Sequence, residues 1–210
     1  MTGTDTDIGK TTVTALLAAA ARATGSVIAA KPVASGGAHL GPGEDAVAIA
    51  EAAGHAPLQF AGYEAPLSPH RAAALMGATL DTAALTAWVR AFEADTVLVE
   101  GAGGWRVPLT LGFDVADLAR AWGAPVLVVA RDRLGVLNHA RLTVDAIGGD
   151  GLHVAGVALI RPPTGARTAN LQDLRELLRV PVADVPWLIP GSYDDPARIA
   201  AGQALWRDLL

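Results

Sequence analysis

Gly3-Thr4-Asp5-Thr6-Asp7-Ile8-Gly9-Lys10-Thr11-Thr12 is a glycine-bounded loop ending in Gly-Lys-Thr, and an apolar helical pattern (Val13, Leu16, Leu17, Ala20, Ala21) follows it directly. Glycines let successive backbone N–H groups turn inward around phosphate oxygens. The lysine brings a compact positive charge, and the next hydroxyl suits Mg²⁺. The helix start adds its own positive pole to the site. Five residues separate Gly3 from Gly9, one more than in the common P-loop pattern, so the loop is a lengthened variant. Only Met1 and Thr2 precede Gly3, so the strand ahead of the loop is expected to be missing or truncated.

Moving outward, short β-rich runs alternate with helical patterns. Val27–Ala30, Thr96–Val99, Pro125–Ala130, Val154–Ile160 and Val182–Val185 read as buried strands. Helices are expected over Lys10–Ala23, Asp45–Ala53, Asp81–Phe92, Val115–Trp122, Asn138–Ile147, Asn170–Leu178 and Pro196–Leu210, with Gly36–Gly43, long enough for a lid, and Gly62–Pro69 as loops. Continuously apolar strands need cover on both faces, which predicts an α/β fold of the P-loop NTPase type, a mostly parallel central sheet between two layers of helices. At 210 residues and 51% hydrophobic content the chain suits a single domain over 1–210. Ligands then collect at the carboxyl ends of the strands.

Composition narrows the chemistry. A net charge of -5 disfavours a nucleic-acid partner, and the absence of cysteine removes disulfides, thiolate zinc sites and cysteine nucleophiles. Val13–Ala21 imitates a signal-peptide core, but its flank carries Asp5 and Asp7 against one Lys10, and no apolar run reaches membrane-spanning length. A cytoplasmic protein without a membrane partner is expected.

Two strand ends carry reactive groups. Val27–Ala30 runs into Lys31-Pro32-Val33-Ala34-Ser35-Gly36, and Thr96–Val99 delivers Glu100 before Gly101-Ala102-Gly103-Gly104-Trp105, the layout of a Walker B element with glutamate in place of aspartate. Asp45, after the glycine loop, is either a helix cap or a metal ligand. Thr11, Asp45 and Glu100 together supply the hydroxyl and carboxylates that a hard Mg²⁺ ion takes.

The blocks 3–11, 31–36, Ser68-Pro69-His70, Val99–Trp105, Leu134–His139 and Pro186-Trp187-Leu188 resemble the dethiobiotin synthetases, in family order and across nearly the whole chain. The resemblance implies an ATP- and Mg²⁺-dependent cyclo-ligase that converts 7,8-diaminopelargonic acid and CO₂ to dethiobiotin through a carbamate and a carbamic-phosphoric anhydride. It implies Lys31 and Lys10 as catalytic groups, and Asp7, Ile8, Gly9, Lys10, Thr11, Thr12, Asp45, Glu100, Gly101, Ala102 and Gly103 around the nucleotide and its Mg²⁺. Pro186, Trp187 and Leu188 border the base; Ser35, Arg133, Leu134 and Asn138 hold substrate, the last two across a homodimer interface. On sequence grounds Asn138 is equally a helix cap, and His70 is left outside the catalytic set. Ile160-Arg161 stands where many relatives carry an Asn-Asp pair that reads adenine, which implies that nucleotides other than ATP also serve. The alternative is a switch ATPase of the partition or septum-placement type, but its signature lysine position holds Asp5. Glutamine-dependent amidoligases need a catalytic cysteine, which is absent.

Overall fold

The computed structural model describes residues 1–38, 40–161, 169–187 and 192–209. A strand does precede the loop: β1 (Thr2–Gly3) lies parallel to a later strand, with Thr2 beside Val128 and Gly3 beside Val129, and Thr4 N–H extends the pairing to the Val129 carbonyl. This strand has two residues, too few to show any alternation.

From there the chain runs α1 (Lys10–Arg22), β2 (Val27–Ala30), β3 (Val33–Ser35), α2 (Glu44–Ala53), β4 (Ala61–Tyr63), α3 (Pro69–Leu75), α4 (Thr82–Arg90), β5 (Thr96–Val99), β6 (Pro108–Thr110) and β7 (Phe113–Asp114). It continues through α5 (Val115–Trp122), β8 (Val126–Arg131), α6 (Val136–Gly149), β9 (Val154–Ile160), α7 (Asn170–Leu177), β10 (Val182–Val185) and α8 (Pro196–Leu209). The order β1-β8-β9-β10 forms a parallel sheet, and β2 pairs parallel with β5. Gly101 N–H donates to the Met1 carbonyl, and a parallel bridge joins Gly3 to Gly104, so β5 approaches the edge of β1. β3 pairs with β4, and β6 with β7 in a small antiparallel hairpin.

The sheet is buried on both sides, and its period of two sorts the side chains. Val126, Val128 and Ala130 of β8 face a core with Leu85 and Val89 of α4, Leu118 of α5, Ile147 of α6 and Leu174 of α7. Leu127 and Val129 face the opposite core, with Leu16 and Leu17 of α1, Ile49 of α2 and Leu205 of α8. Each fully buried leucine contributes about 1.5–3 kcal/mol. α1 is rich in alanine, the strongest helix former, and packs closely against both α2 and α8. α8 is tied down by Trp206, whose indole N–H donates to the Leu17 carbonyl at 3.0 Å.

The segment 62–69 is not wholly loop: Gly62 belongs to β4 and Pro69 opens α3. β3, β4, β6, β7 and α3 span two to seven residues each, too few for a readable period. α6 begins at Val136, with Gly135 as its N-cap, so Asn138 lies inside the helix and the alternative of a cap is not realised. Among the described residues no helix is long and apolar enough to cross a membrane.

Candidate active site

The lengthened loop wraps the start of α1. Asp7 has φ 54° and Gly9 φ 95°, both left-handed, a conformation that glycine adopts at no steric cost. A Cβ at Gly9 would also lie 2.3 Å from Ile160 Cδ1, so β9 packs directly against the loop. In front of the loop opens a cavity of about 330 Å³. Asp7, Ile8, Gly9, Lys10 and Thr11 line it from the loop side, and Lys31, Ser35, Asp45, Glu100, Ala102 and Gly103 complete its wall. Thr6, Val33 and Ala34 line it as well. These three stand inside motifs legible in the sequence, yet as small side chains they carried no chemical signal of their own.

The centre of the site is an ion cluster. Lys31 Nζ lies 2.7 Å from Asp45 Oδ2 and 2.7 Å from Glu100 Oε1. The Thr11 hydroxyl lies 2.7 Å from Asp45 Oδ1 and 3.0 Å from Glu100 Oε1, and its single proton serves one of them at a time. Strand ends place the buried members: β2 delivers Lys31 and β5 delivers Glu100, whose N–H donates to the Ala30 carbonyl. Glu100 is fully buried and Lys31 nearly so, whereas the Asp45 side chain is half exposed. Asp45 therefore does not cap its helix. Gly43 holds the cap position, and the Asp45 carboxylate turns from the first turn of α2 toward Lys31 and Thr11.

Burial on its own pushes the Lys31 ammonium toward its neutral form, but Glu100 and Asp45 outweigh it and raise its pKa above the ordinary lysine value. Burial likewise works against the Asp45 carboxylate, and Lys31 with the Thr11 hydroxyl reverses the balance, holding it below the usual carboxylate range. Lys10 differs. It is buried, it donates from Nζ to the Asp5 carbonyl at 3.1 Å, and its pKa is lowered, first by burial and then by the charge of Lys31. An ammonium short of anionic partners at the mouth of a loop lined by N–H groups is arranged for an anion to arrive.

These residues fit Mg²⁺. Hydroxyl and carboxylate oxygens of Thr11, Asp45 and Glu100 converge, and Glu100 Oε2 is buried without a hydrogen-bond partner. Among the described residues no group of three or more histidine, cysteine, aspartate and glutamate side chains gathers elsewhere as a rival metal site.

The remaining expected residues scatter around this centre. Thr12 and Gly101 are not among the cavity-lining residues; Gly101 sits where an added Cβ would meet Val115 Cγ1 at 3.0 Å. Ser35 lines the cavity and donates from Oγ to the Leu67 carbonyl at 2.7 Å. Arg133 reaches back to the loop, with Nη2 2.6 Å from Asp5 Oδ2. Leu134 is fully exposed, and Asn138 is exposed on α6. His70 Nδ1 lies 3.0 Å from Ser68 Oγ, and His70 is not among the cavity-lining residues. Pro186 is half-buried and Trp187 exposed, with the Arg131 guanidinium carbon 4.8 Å from the Trp187 ring centroid; Leu188 lies outside the described residues. Ile160 is buried, and the Arg161 guanidinium is bound in a two-pronged pair to Asp184, with Nε 2.5 Å from Oδ1.

A family model described as an AAA domain matches residues 1–191. The ATP-dependent dethiobiotin synthetase BioD of Pseudomonas paraeruginosa is 44% identical, over 96% of this chain and 93% of that protein. The synthetase of the same name from Xanthomonas euvesicatoria is 42% identical over 99% and 97%, and that from Aromatoleum aromaticum 40% over 98% and 96%. Among solved structures, the septum site-determining protein MinD complexed with Mg-ADP from Pyrococcus horikoshii superposes with a TM-score of 0.60, covering 99% of this chain and 93% of that one. At 15% identity this likeness shows the fold alone. With relatives of that name matched almost end to end, and the phosphate loop facing Lys31 and Glu100, the chain belongs to the family of ATP-dependent dethiobiotin synthetases.

Proposed function

We propose that this protein, acting as one P-loop domain, is a cyclo-ligase that makes dethiobiotin from 7,8-diaminopelargonic acid, CO₂ and a nucleoside triphosphate in biotin biosynthesis. The observation that carries the reading is the Lys31 ammonium set between Asp45 and Glu100 at the wall of the phosphate cavity. The names of its relatives supply the substrate class.

One amine of the substrate adds to CO₂ and loses a proton, giving a carbamate. A carbamate oxygen then takes the γ-phosphoryl group and ADP leaves. The second amine attacks the carbamate carbon, the C–O bond to phosphate breaks, and phosphate departs as the ring closes. Every stage gathers negative charge in a small volume, and phosphoryl transfer asks a protein chiefly for positioning and electrostatic stabilisation. Lys10 holds the β and γ phosphates from the loop. Lys31, at the end of β2, stabilises the carbamate and the transferring group. Ser35 steadies the carbamate or diamine by hydrogen bonding. Thr11, Asp45 and Glu100 would hold Mg²⁺, which when bound would neutralise charge on the phosphate oxygens.

The base is read loosely. Around the end of β9 the polar side chains Arg161 and Asp184 are committed to each other, and Ile160 offers no hydrogen bond. Trp187 with Arg131 offers a stacking surface, which tolerates any base. The substrate's carboxylate tail is held in a homodimer, where Leu134 and Asn138 of the neighbouring copy reach it; the exposure of Leu134 supports this, and a monomer in sedimentation under assay conditions would refute it.

Incubating the protein with 7,8-diaminopelargonic acid, bicarbonate, Mg²⁺ and ATP, CTP, GTP or UTP in turn is expected to give dethiobiotin and phosphate with more than one nucleotide. No product from folded protein with any nucleotide sinks the assignment. Product with ATP alone sinks only the reading of the base.

A further inference from the structure

Trp105 ends the motif Val99–Trp105, yet it does not line the phosphate cavity. It is buried, and its indole N–H donates to Asp150 Oδ2 at 2.7 Å, at the C-cap of α6. The same carboxylate accepts from Arg106 Nη2 at 2.8 Å and Arg120 Nη1 at 2.8 Å, and only 9% of its side chain is exposed. Asp114 and Asp117, which form the capping box of α5, hold the outer sides of these two arginines. One carboxylate thus gathers an indole and two guanidinium groups, charge-assisted bonds of the stronger kind.

What this cluster fastens is the segment between Glu100 and Trp105. Three of its four intervening residues are glycine, and Gly103 takes φ 60° with Ala102 beside it in the cavity wall. Such a chain has many accessible conformations, and holding a wall in one of them needs an anchor at each end. Glu100 is the near anchor, through Lys31 and Thr11. Trp105 is the far one. At the other end of α6, Arg133 pairs with Asp5 of the phosphate loop. The 14 residues of α6, about 21 Å of helix, therefore connect these two contacts, alongside the parallel bridge that joins Gly3 to Gly104 directly.

We propose that Asp150, acting through Trp105, is a positioning residue that fixes the Glu100–Gly104 segment as the wall of the phosphate cavity. It touches neither substrate nor nucleotide. The turnover arm of its test rests on the function proposed above, whereas the binding arm, titration with a fluorescent ATP analogue, stands without it. Trp105→Phe removes the N–H donor together with the five-membered ring and keeps a six-membered aromatic ring in the core; Asp150→Asn keeps the shape and removes the charge. Each is expected to raise the nucleotide Kd and KM about tenfold while kcat changes less than about threefold. The double variant is expected to raise Kd by less than the product of the two single effects, because both substitutions act on the Trp105–Asp150 contact, while Asp150→Asn also weakens the pairs with Arg106 and Arg120. Unchanged Kd in Trp105→Phe, losses that multiply in the double variant, or a loss confined to kcat at constant KM, which reads as lost active protein, each overturns the proposal. Should Asp150→Asn fail to fold, Trp105→Phe alone decides through its Kd.

Discussion

Lys31→Ala is expected to lower dethiobiotin turnover by on the order of 10³-fold or more, while nucleotide affinity stays within about tenfold of the wild type. The loop amides and Lys10 still hold the phosphates, but the second positive charge in the cavity wall is gone. The ion cluster adds a second consequence. Glu100 is fully buried, and among the described residues Lys31 is the cation at hydrogen-bond distance from it, so the variant strips a buried carboxylate of that partner. Breaking a buried pair in this way costs about 3–5 kcal/mol. Lys31→Ala should therefore melt at a clearly lower temperature, and adding Glu100→Gln should restore part of that stability but none of the turnover. Thermal melts, a fluorescent-nucleotide titration and a dethiobiotin assay on the same three proteins separate the effects. Near-native turnover in Lys31→Ala would remove its catalytic role, and an unchanged melting temperature would refute the account of Glu100.

Lys10→Ala is expected to lose both functions: turnover falls to background and nucleotide Kd rises about 10²-fold. Unlike Lys31, Lys10 has no carboxylate at hydrogen-bond distance among the described residues; its Nζ rests on the Asp5 carbonyl, and burial with the Lys31 charge disfavours its ammonium. An incoming phosphate relieves that disadvantage, so the charge acts mainly in binding. Removing it should spare the fold, with a melting temperature close to the wild type, in contrast to Lys31→Ala. Lys10→Arg should fail to rescue. The loop closes tightly on the lysine stem, with an added Cβ at Gly3 only 3.2 Å from Lys10 Cδ, and a planar guanidinium does not fit a place built for a point charge. Nucleotide affinity within threefold of the wild type in Lys10→Ala would refute this division of labour between the lysines.

Much of the fold was legible because the long elements carry strong periods. β5, β9 and β10 have the limits read from their apolar runs, and α1, α5 and α7 differ from expectation by a residue or less at each end. The elements that escaped are short, and β1 is the extreme case: two residues whose strand character resides wholly in the hydrogen bonds of β8. The charged cavity-lining groups had local signals of their own. The loop that ends in Gly-Lys-Thr announces its ligand by local spacing, and the strand ends mark Lys31 and Glu100. Asp45 was undecidable, since a carboxylate at a helix start reads equally as cap or ligand until its bonds to Thr11 and Lys31 are seen.

By itself the sequence determined the phosphate loop, the α/β class and the set of groups available for chemistry, because each depends on residues a few positions apart or on one element's own period. The tertiary structure decided which of those groups meet. Lys31 finds Glu100 across 69 positions, Trp105 finds Asp150 across 45, and Arg133 finds Asp5 across 128. Such pairings depend on how β2, β5 and α6 pack around the sheet, which is set by the burial of both its faces together and has no local spacing to betray it.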